Sequence, residues 1–167
     1  LMPRAVDQSN AAHGLFVLRK VLEASKPGEC IGVFGLAYKP GTSVIERSFG
    51  VDLAGWLLAE GRKVVVWDPI AIPEVRQALG ERVTYAENAQ DCLNACRVAV
   101  LVMPLPELKS VNWKVTGERI VLDCWRFLAP EQTAELENYR PLGRGYSSTG
   151  QTLWDLVSHE RIRLLTD

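Results

Sequence analysis

The chain carries the short apolar run Cys30-Ile31-Gly32-Val33-Phe34-Gly35, which ends at a glycine. A continuous apolar run of this length is typical of a strand buried on both faces, as in a parallel sheet. A second run, Lys63-Val64-Val65-Val66-Trp67, is rich in β-branched residues and is stopped by Asp68-Pro69. Between the two runs, Ser48 can cap a helix that Gly61 ends. Strand, helix and strand within about 38 residues predict a right-handed βαβ unit.

The same alternation extends in both directions from this unit. An amphipathic helix is predicted before it, over Asp7–Ser25, because Ala11, Leu15, Leu18 and Leu22 recur at helical spacing. After it, strands are predicted over Arg82–Tyr85, Val98–Val102 and Arg119–Asp123, and helices over Ile72–Leu79, Ala86–Asn94, Pro130–Asn138 and Gln151–Val157. We therefore expect an α/β fold with a doubly wound, mostly parallel, Rossmann-like sheet and helices on both faces.

The composition and net charge of the chain limit the classes of function that it can have. The chain has 167 residues, of which 47% are hydrophobic and 23% charged, as expected for one globular domain. Its 19 Lys+Arg and 20 Asp+Glu give a net charge of -1, so the basic surface of a nucleic-acid binder is not expected. The sequence shows neither a secretory signal nor an apolar run of the roughly 20 residues that a membrane span needs. A cytoplasmic protein without a membrane anchor is the expectation.

The four cysteines and two histidines do not predict a metal site. Cys30, Cys92, Cys96 and Cys124 lack CxxC spacing and lie in or near predicted core elements. Buried free thiols, as in a reducing cytosol, are the expected state.

Candidate ligand-binding residues follow the predicted strands, because ligands of open α/β sheets lie beyond the carboxyl ends of the strands. These positions are Gly35–Thr42, Asp68, Met103-Pro104 and Asp123–Arg126. The first segment is the richest, since its glycine permits a tight turn and Lys39 supplies a cation suited to a phosphate. It is not a dinucleotide fingerprint, because the sequence has Gly35-x-Ala37-x-x-Pro40 in place of Gly-x-Gly-x-x-Gly.

This segment resembles a family signature. Gly35-Leu36-Ala37-Tyr38-Lys39-Pro40-Gly41-Thr42, followed by Glu46-Arg47-Ser48, is similar to Gly-Leu-Ala-Phe-Lys-Pro…Thr…Arg-Glu-Ser in the C-terminal domain of the UDP-glucose/GDP-mannose dehydrogenases. Val64-Val65-Val66-Trp67-Asp68-Pro69 resembles the family's second strand with its closing Tyr-Asp-Pro. The resemblance extends over roughly residues 7–144 and is strongest over 31–69.

The resemblance implies that this domain binds the nucleotide part of a UDP-sugar or GDP-sugar. Tyr38 and Lys39 then match family positions that reach the nucleotide sugar, and Arg47 matches an arginine near the cofactor and the domain interface. In the complete enzyme, an N-terminal domain binds NAD and oxidises the sugar C6 alcohol to a carboxylate, a reaction used in polysaccharide biosynthesis. Residues 1–26 would be the end of an interdomain helix that also packs homodimers, and residues 27–167 the nucleotide-sugar-binding domain.

Several segments depart from the family pattern. Ser43-Val44-Ile45 replaces acidic residues, and Met103-Pro104-Leu105-Pro106 replaces Thr-Glu-Trp. Asp123-Cys124-Trp125-Arg126 stands where the family has Asp-Gly-Arg, so Arg126 is the expected substitute for the family arginine, displaced by one position. Trp125 is either a stacking surface or a packing residue.

No catalytic residue is predicted in this chain. The family's catalytic cysteine lies in a Gly-Phe-Gly-Gly-x-Cys motif that the sequence lacks, and apolar surroundings at Cys30 and Cys124 would raise the thiol pKa. Two other hypotheses stay open: a non-catalytic assembly or regulatory module that has lost the ligand, and a domain that itself binds a dinucleotide.

Overall fold

A computed structural model describes residues 2–114, 119–134 and 136–143, with the backbone alone for residues 2–9. The predicted helix Gln151–Val157 lies outside these residues. The described part contains a six-stranded sheet in the order β3-β2-β1-β4-β5-β6, and every pair of neighbouring strands is parallel. The prediction of a parallel α/β sheet is confirmed.

The bounds of the elements are close to those predicted. The strands are β1 (Cys30–Phe34), β2 (Lys63–Trp67), β3 (Thr84–Tyr85), β4 (Val98–Leu101), β5 (Ile120–Asp123) and β6 (Tyr139–Pro141). The α-helices are α1 (Met2–Ala24), α2 (Phe49–Ala59), α3 (Ile72–Leu79), α4 (Ala89–Ala95) and α5 (Pro130–Thr133). Short 3-10 helices cover Gly80–Arg82 and Pro106–Ser110.

The two central strands form the middle of the core. All four residues of β4, and all of β1 except Cys30, are buried, which explains why both strands are continuous apolar runs. Phe34 pairs in register with Trp67 on one side and with Leu101 on the other. The carboxyl-terminal ends of β1, β2 and β4 therefore lie side by side at the same end of the sheet.

The predicted helix Pro130–Asn138 is wrong in extent. The helix ends at Thr133, and the chain then enters a sixth strand at Tyr139. This strand is added to the sheet edge beside β5, where the Val121 amide donates to the Asn138 carbonyl at 3.1 Å. A three-residue strand whose pairing supplies its hydrogen bonds has no periodicity of its own to detect.

Helix α1 packs closely against α2. Val17 and Val21 are fully buried on its inner face. A Cβ atom added at Gly14 would lie 2.9 Å from the Trp56 ring and 3.4 Å from the Phe49 ring, so the glycine permits this close approach. The helix begins at Met2, five residues before the predicted start. No helix of the described residues is both long and apolar enough to cross a membrane.

Candidate functional site

A cleft lies at the point where the strand order reverses. Connections from β1 and β4 leave the sheet in opposite directions, and in open α/β sheets this divergence creates the crevice where ligands bind. The cleft has a volume of about 620 Å³, which is within the range of small-molecule sites. Its lining comes from α1, the start of α2 and the segments after β1, β4 and β5: His13, Ala37, Tyr38, Lys39, Pro40, Phe49, Gly50, Val102, Met103, Pro104, Cys124 and Trp125.

Asp68 holds the segment after β1 in place. This buried carboxylate accepts hydrogen bonds from the backbone amides of Leu36 and Ala37, at 2.7 and 3.2 Å, through one oxygen. Its other oxygen accepts from the amides of Ile70 and Ala71, both at 2.9 Å. Asp68 was a candidate ligand-binding position in the sequence, but both of its oxygens are occupied by the backbone. It shapes the cleft without lining it.

The segment after β1 is also fastened to the start of α2. The Ser48 hydroxyl donates to the Leu36 carbonyl at 2.6 Å and accepts from the Val51 amide at 3.4 Å, so this residue caps the helix as predicted. A Cβ atom added at Gly50 would lie only 2.1 Å from the Gly35 carbonyl oxygen. Helix and segment are thus in direct backbone contact.

Asp123 organises the opposite side of the cleft. This carboxylate, fully buried at the end of β5, accepts from the amides of Trp125, Phe127 and Leu128 at 3.0, 2.8 and 3.1 Å. It also accepts from the Tyr139 hydroxyl at 2.9 Å, which ties the turn to β6. The turn that carries Trp125 is therefore fixed from several directions.

The predicted site residues fall into two groups. Tyr38 and Lys39 are exposed and line the cleft together. Arg47 and Arg126 are exposed but do not contribute to the cleft lining, although Arg126 directly follows Trp125. Among the described residues, these two arginines are the non-glycine residues with positive φ, at 57° and 55°. Such backbone costs on the order of 1–2 kcal/mol per residue and is concentrated at functional sites.

Sequence reasoning missed four of the cleft residues, which are His13, Phe49, Gly50 and Val102. His13 belongs to α1, and it reaches the cleft because Gly14 lets that helix approach α2. A glycine beside a polar residue on the apolar helix was the only available signal, and it does not specify the contact. None of the lining residues in the described part of the chain carries a carboxylate, whereas Lys39 and His13 are basic. The cleft therefore favours an anion.

Cys124 lines the cleft without the properties of a nucleophile. Burial raises the pKa of its thiol to about 12, and the neighbouring Asp123 carboxylate raises it further. Burial likewise raises the pKa of Cys96 to about 12 and that of Cys92 strongly. For Cys30, burial outweighs the opposing effect of Lys63, and the pKa is also raised. The expectation that Cys30 and Cys124 have raised thiol pKa values is confirmed.

We expect these thiols to resist alkylation in the folded protein. A thiol whose pKa lies near 12 has very little thiolate at pH 8. Iodoacetamide should modify Cys92, Cys96 and Cys124 at least about 100-fold more slowly in the native chain than in guanidinium, where the thiols titrate normally. Peptide mass spectrometry over a time course gives the rate for each cysteine. Native labelling of Cys124 at the rate of the unfolded chain would contradict its assigned surroundings.

The described residues contain no group of three or more His, Cys, Asp or Glu side chains arranged to hold a metal ion. Lys39, which carries an amino group, lines the cleft itself.

Sheet order and cleft position define a Rossmann-like α/β domain with a cleft at its topological switch point, where ligands of such sheets bind. Residues 32–130 match the family model described as the UDP-glucose/GDP-mannose dehydrogenase family, UDP binding domain. The chain belongs to this family. The match begins within β1 and extends through β5, so it includes the segments after β1, β4 and β5 that line the cleft.

Individual relatives agree with this assignment. The chain is 31% identical over 110 residues to the UDP-glucose 6-dehydrogenase TuaD of Bacillus subtilis (strain 168), covering 65% of this chain and 24% of the relative. It is 31% identical over 113 residues to the UDP-glucose 6-dehydrogenase AglM of Haloferax volcanii, covering 66% and 26%. The chain thus spans about a quarter of the length of these curated relatives.

Solved structures show the same fold. A UDP-glucose dehydrogenase from Pyrobaculum islandicum superposes with a TM-score of 0.63 and 29% identity, over 76% of this chain and 28% of that one. A GDP-mannose dehydrogenase from Pseudomonas aeruginosa gives a TM-score of 0.59 at 15% identity, over 80% and 31%, which demonstrates the fold alone.

Proposed function

We propose that this chain binds the nucleoside diphosphate part of a nucleotide sugar, preferably UDP-glucose, in the cleft at the switch point. It then acts as the C-terminal part of an NAD-dependent nucleotide-sugar 6-dehydrogenase. The observation that carries the proposal is Lys39 in a cleft whose described lining holds no carboxylate, on a segment within the family match. A diphosphate needs cations at close range, and a lysine ammonium with three donors supplies one.

Tyr38, Arg126 and Arg47 complete the proposed site. Tyr38 lines the cleft beside Lys39 and offers an aromatic ring and a hydroxyl. Arg126 follows Trp125 at the opposite rim, where its guanidinium can turn toward the bound nucleotide. Arg47 precedes the cap of α2, outside the cleft lining, and is assigned to the interface with the partner domain. The strained backbone of both arginines supports a functional reason for their positions.

The residues of this chain do not fit NAD. In dinucleotide-binding sheets an acidic residue after the second strand accepts from the ribose hydroxyls, but both oxygens of Asp68 already accept four backbone amides. The first turn also lacks the fingerprint glycines, and Gly50 is pressed against the Gly35 carbonyl. These features speak against dinucleotide binding by this chain and support a separate NAD-binding domain. Hydride transfer is assigned to that domain.

The surrounding domain arrangement follows from the same proposal. Residues 1–26 form the end of a helix that joins the two domains and packs homodimers in the cytoplasm, and residues 27–167 form the nucleotide-sugar-binding domain. The contact between α1 and α2 at Gly14 supports this arrangement, because it sets the joining helix directly beside the cleft through His13.

Calorimetry with Lys39→Ala tests the proposal. The unmodified chain should bind UDP and UDP-glucose, and the variant should bind both roughly 10- to 100-fold more weakly, as expected for the loss of a charge-assisted hydrogen bond. Lys63→Ala is the matched control, since Lys63 is an exposed lysine at the amino-terminal end of β2, at the end of the sheet away from the cleft. Its affinities should equal those of the unmodified chain.

Other outcomes of the same titration reject the proposal. No heat with UDP, UDP-glucose, GDP or NAD would favour the module that has lost its ligand. Binding of NAD alone would favour the dinucleotide-binding hypothesis. Equal weakening by Lys39→Ala and Lys63→Ala would show that the effect is one of net charge and not of the cleft.

A further inference from the structure

Trp125 is the exposed member of the four tryptophans in the described part of the chain, where Trp56 is partly buried. Trp67 and Trp113 are buried in the core, whereas 60% of the Trp125 surface is exposed. Leaving a large aromatic ring in water forfeits the favourable burial that other tryptophans of the chain obtain. Because most of the ring is exposed, packing within the described part of the chain does not account for its position.

The exposed ring is held rigidly in place. Its indole N–H donates to the Val102 carbonyl at 2.9 Å, which joins the turn after β5 to the end of β4. Its backbone amide donates to the buried Asp123 carboxylate at 3.0 Å. An aromatic surface that is fixed before a ligand arrives loses little conformational freedom on binding. The indole face is therefore fixed in position before a ligand binds.

This surface belongs to the cleft. Trp125 lines the cleft from the turn after β5. Tyr38, which is 61% exposed, lines it from the segment after β1. That segment is fixed as well, because the Tyr38 amide donates to the Val44 carbonyl at 2.7 Å. Lys39 follows Tyr38 on the segment after β1, whereas Trp125 belongs to the turn after β5, so the lysine and the indole ring line the cleft from different segments. A nucleotide has the matching parts, an anionic phosphate group and a planar base.

We infer that Trp125 is the stacking surface for the planar base of the bound nucleotide, with Lys39 holding the phosphates. This inference rests on the proposed function and deepens it, because it assigns the two parts of the ligand to the two sides of the cleft. The sequence left open whether Trp125 is a stacking surface or a packing residue, and the inference assigns it to stacking.

The test separates the base from the phosphates. Trp125→Ala should weaken UMP, UDP and UDP-glucose binding roughly 5- to 100-fold, the range for loss of one base–aromatic stack. Binding of pyrophosphate and of glucose 1-phosphate should be unchanged, which also shows that the variant is folded. Trp125→Phe keeps an aromatic face and should retain most of the affinity. Lys63→Ala, which changes an exposed residue at the amino-terminal end of β2, is the control here as well and should leave all of these affinities unchanged.

Fluorescence gives an independent readout. UDP should change the tryptophan emission of the unmodified chain, and Trp125→Phe should abolish most of that change. Unchanged UMP affinity in Trp125→Ala would overturn the inference alone, as would weaker glucose 1-phosphate binding, which would place the sugar on the ring. Absence of UDP binding to the unmodified chain would overturn the proposed function and this inference together.

Discussion

Gly50→Ala is expected to lower the free energy of unfolding by at least about 3 kcal/mol, because overpacking is most costly where neither partner can move. The new methyl carbon would lie 2.1 Å from the Gly35 carbonyl oxygen and 3.1 Å from the Leu36 Cα atom. Both contacts are with backbone, and the same segment is fixed by Asp68. Relief of the clash would have to separate α2 from β1. Urea unfolding followed by circular dichroism measures the loss.

Gly55→Ala is the matched control for this substitution. Gly55 lies in the same helix, and a Cβ atom added there meets nothing within 4 Å. Alanine is favoured over glycine in a helix interior by roughly 0.5–1 kcal/mol, so this variant should be as stable as the unmodified chain or slightly more stable. Similar destabilisation by both substitutions would show that the loss of stability in Gly50→Ala does not come from the clash with the Gly35 carbonyl.

Asp68→Ala is the second large effect. Removal of the carboxylate leaves four backbone amides without their acceptor, at Leu36, Ala37, Ile70 and Ala71. Each buried unsatisfied donor costs about 1–3 kcal/mol, and some of the four will reach water after the loops relax. We therefore expect a net loss of about 3–5 kcal/mol in the free energy of unfolding. UDP binding should fall with it, because Tyr38 and Lys39 lose their anchored segment.

Glu87→Ala serves as the control for Asp68→Ala. Glu87 is an exposed carboxylate in the turn before α4. Exposed substitutions of this kind usually change stability by less than about 0.5 kcal/mol. A loss in Asp68→Ala no larger than in Glu87→Ala would mean that the amides at the end of β1 do not depend on this carboxylate.

The sequence predicted the sheet well because its central strands are buried on both faces. Continuous apolar runs marked β1, β2, β4 and β5 within a residue, since their environment dictates residue type along their whole length. The edge strand β6 escaped prediction because its three residues derive their structure from pairing with β5.

The candidate site was predictable only where a local signature exists. Tyr38 and Lys39 were found through the segment after β1, and the structure places both in the cleft. His13 was missed because its place depends on contact between two helices, which no local pattern records. Asp68 was found at the right position, but the sequence could not show that its oxygens are used by the backbone. The positive φ of Arg47 and Arg126 was equally invisible.

The central claim is that the cleft at the switch point receives a nucleotide sugar, and an amide NMR titration with UDP-glucose tests it most directly. The largest shifts should come from residues on its two sides, Ala37–Lys39 on one and Val102, Met103, Cys124 and Trp125 on the other, together with the indole N–H of Trp125. Residues at the amino-terminal ends of the strands, away from the cleft, should be unaffected; Lys63 of β2 and Val98 of β4 are examples. Shifts concentrated at the amino-terminal ends of the strands, or no shifts at saturating UDP-glucose, would contradict binding in the cleft.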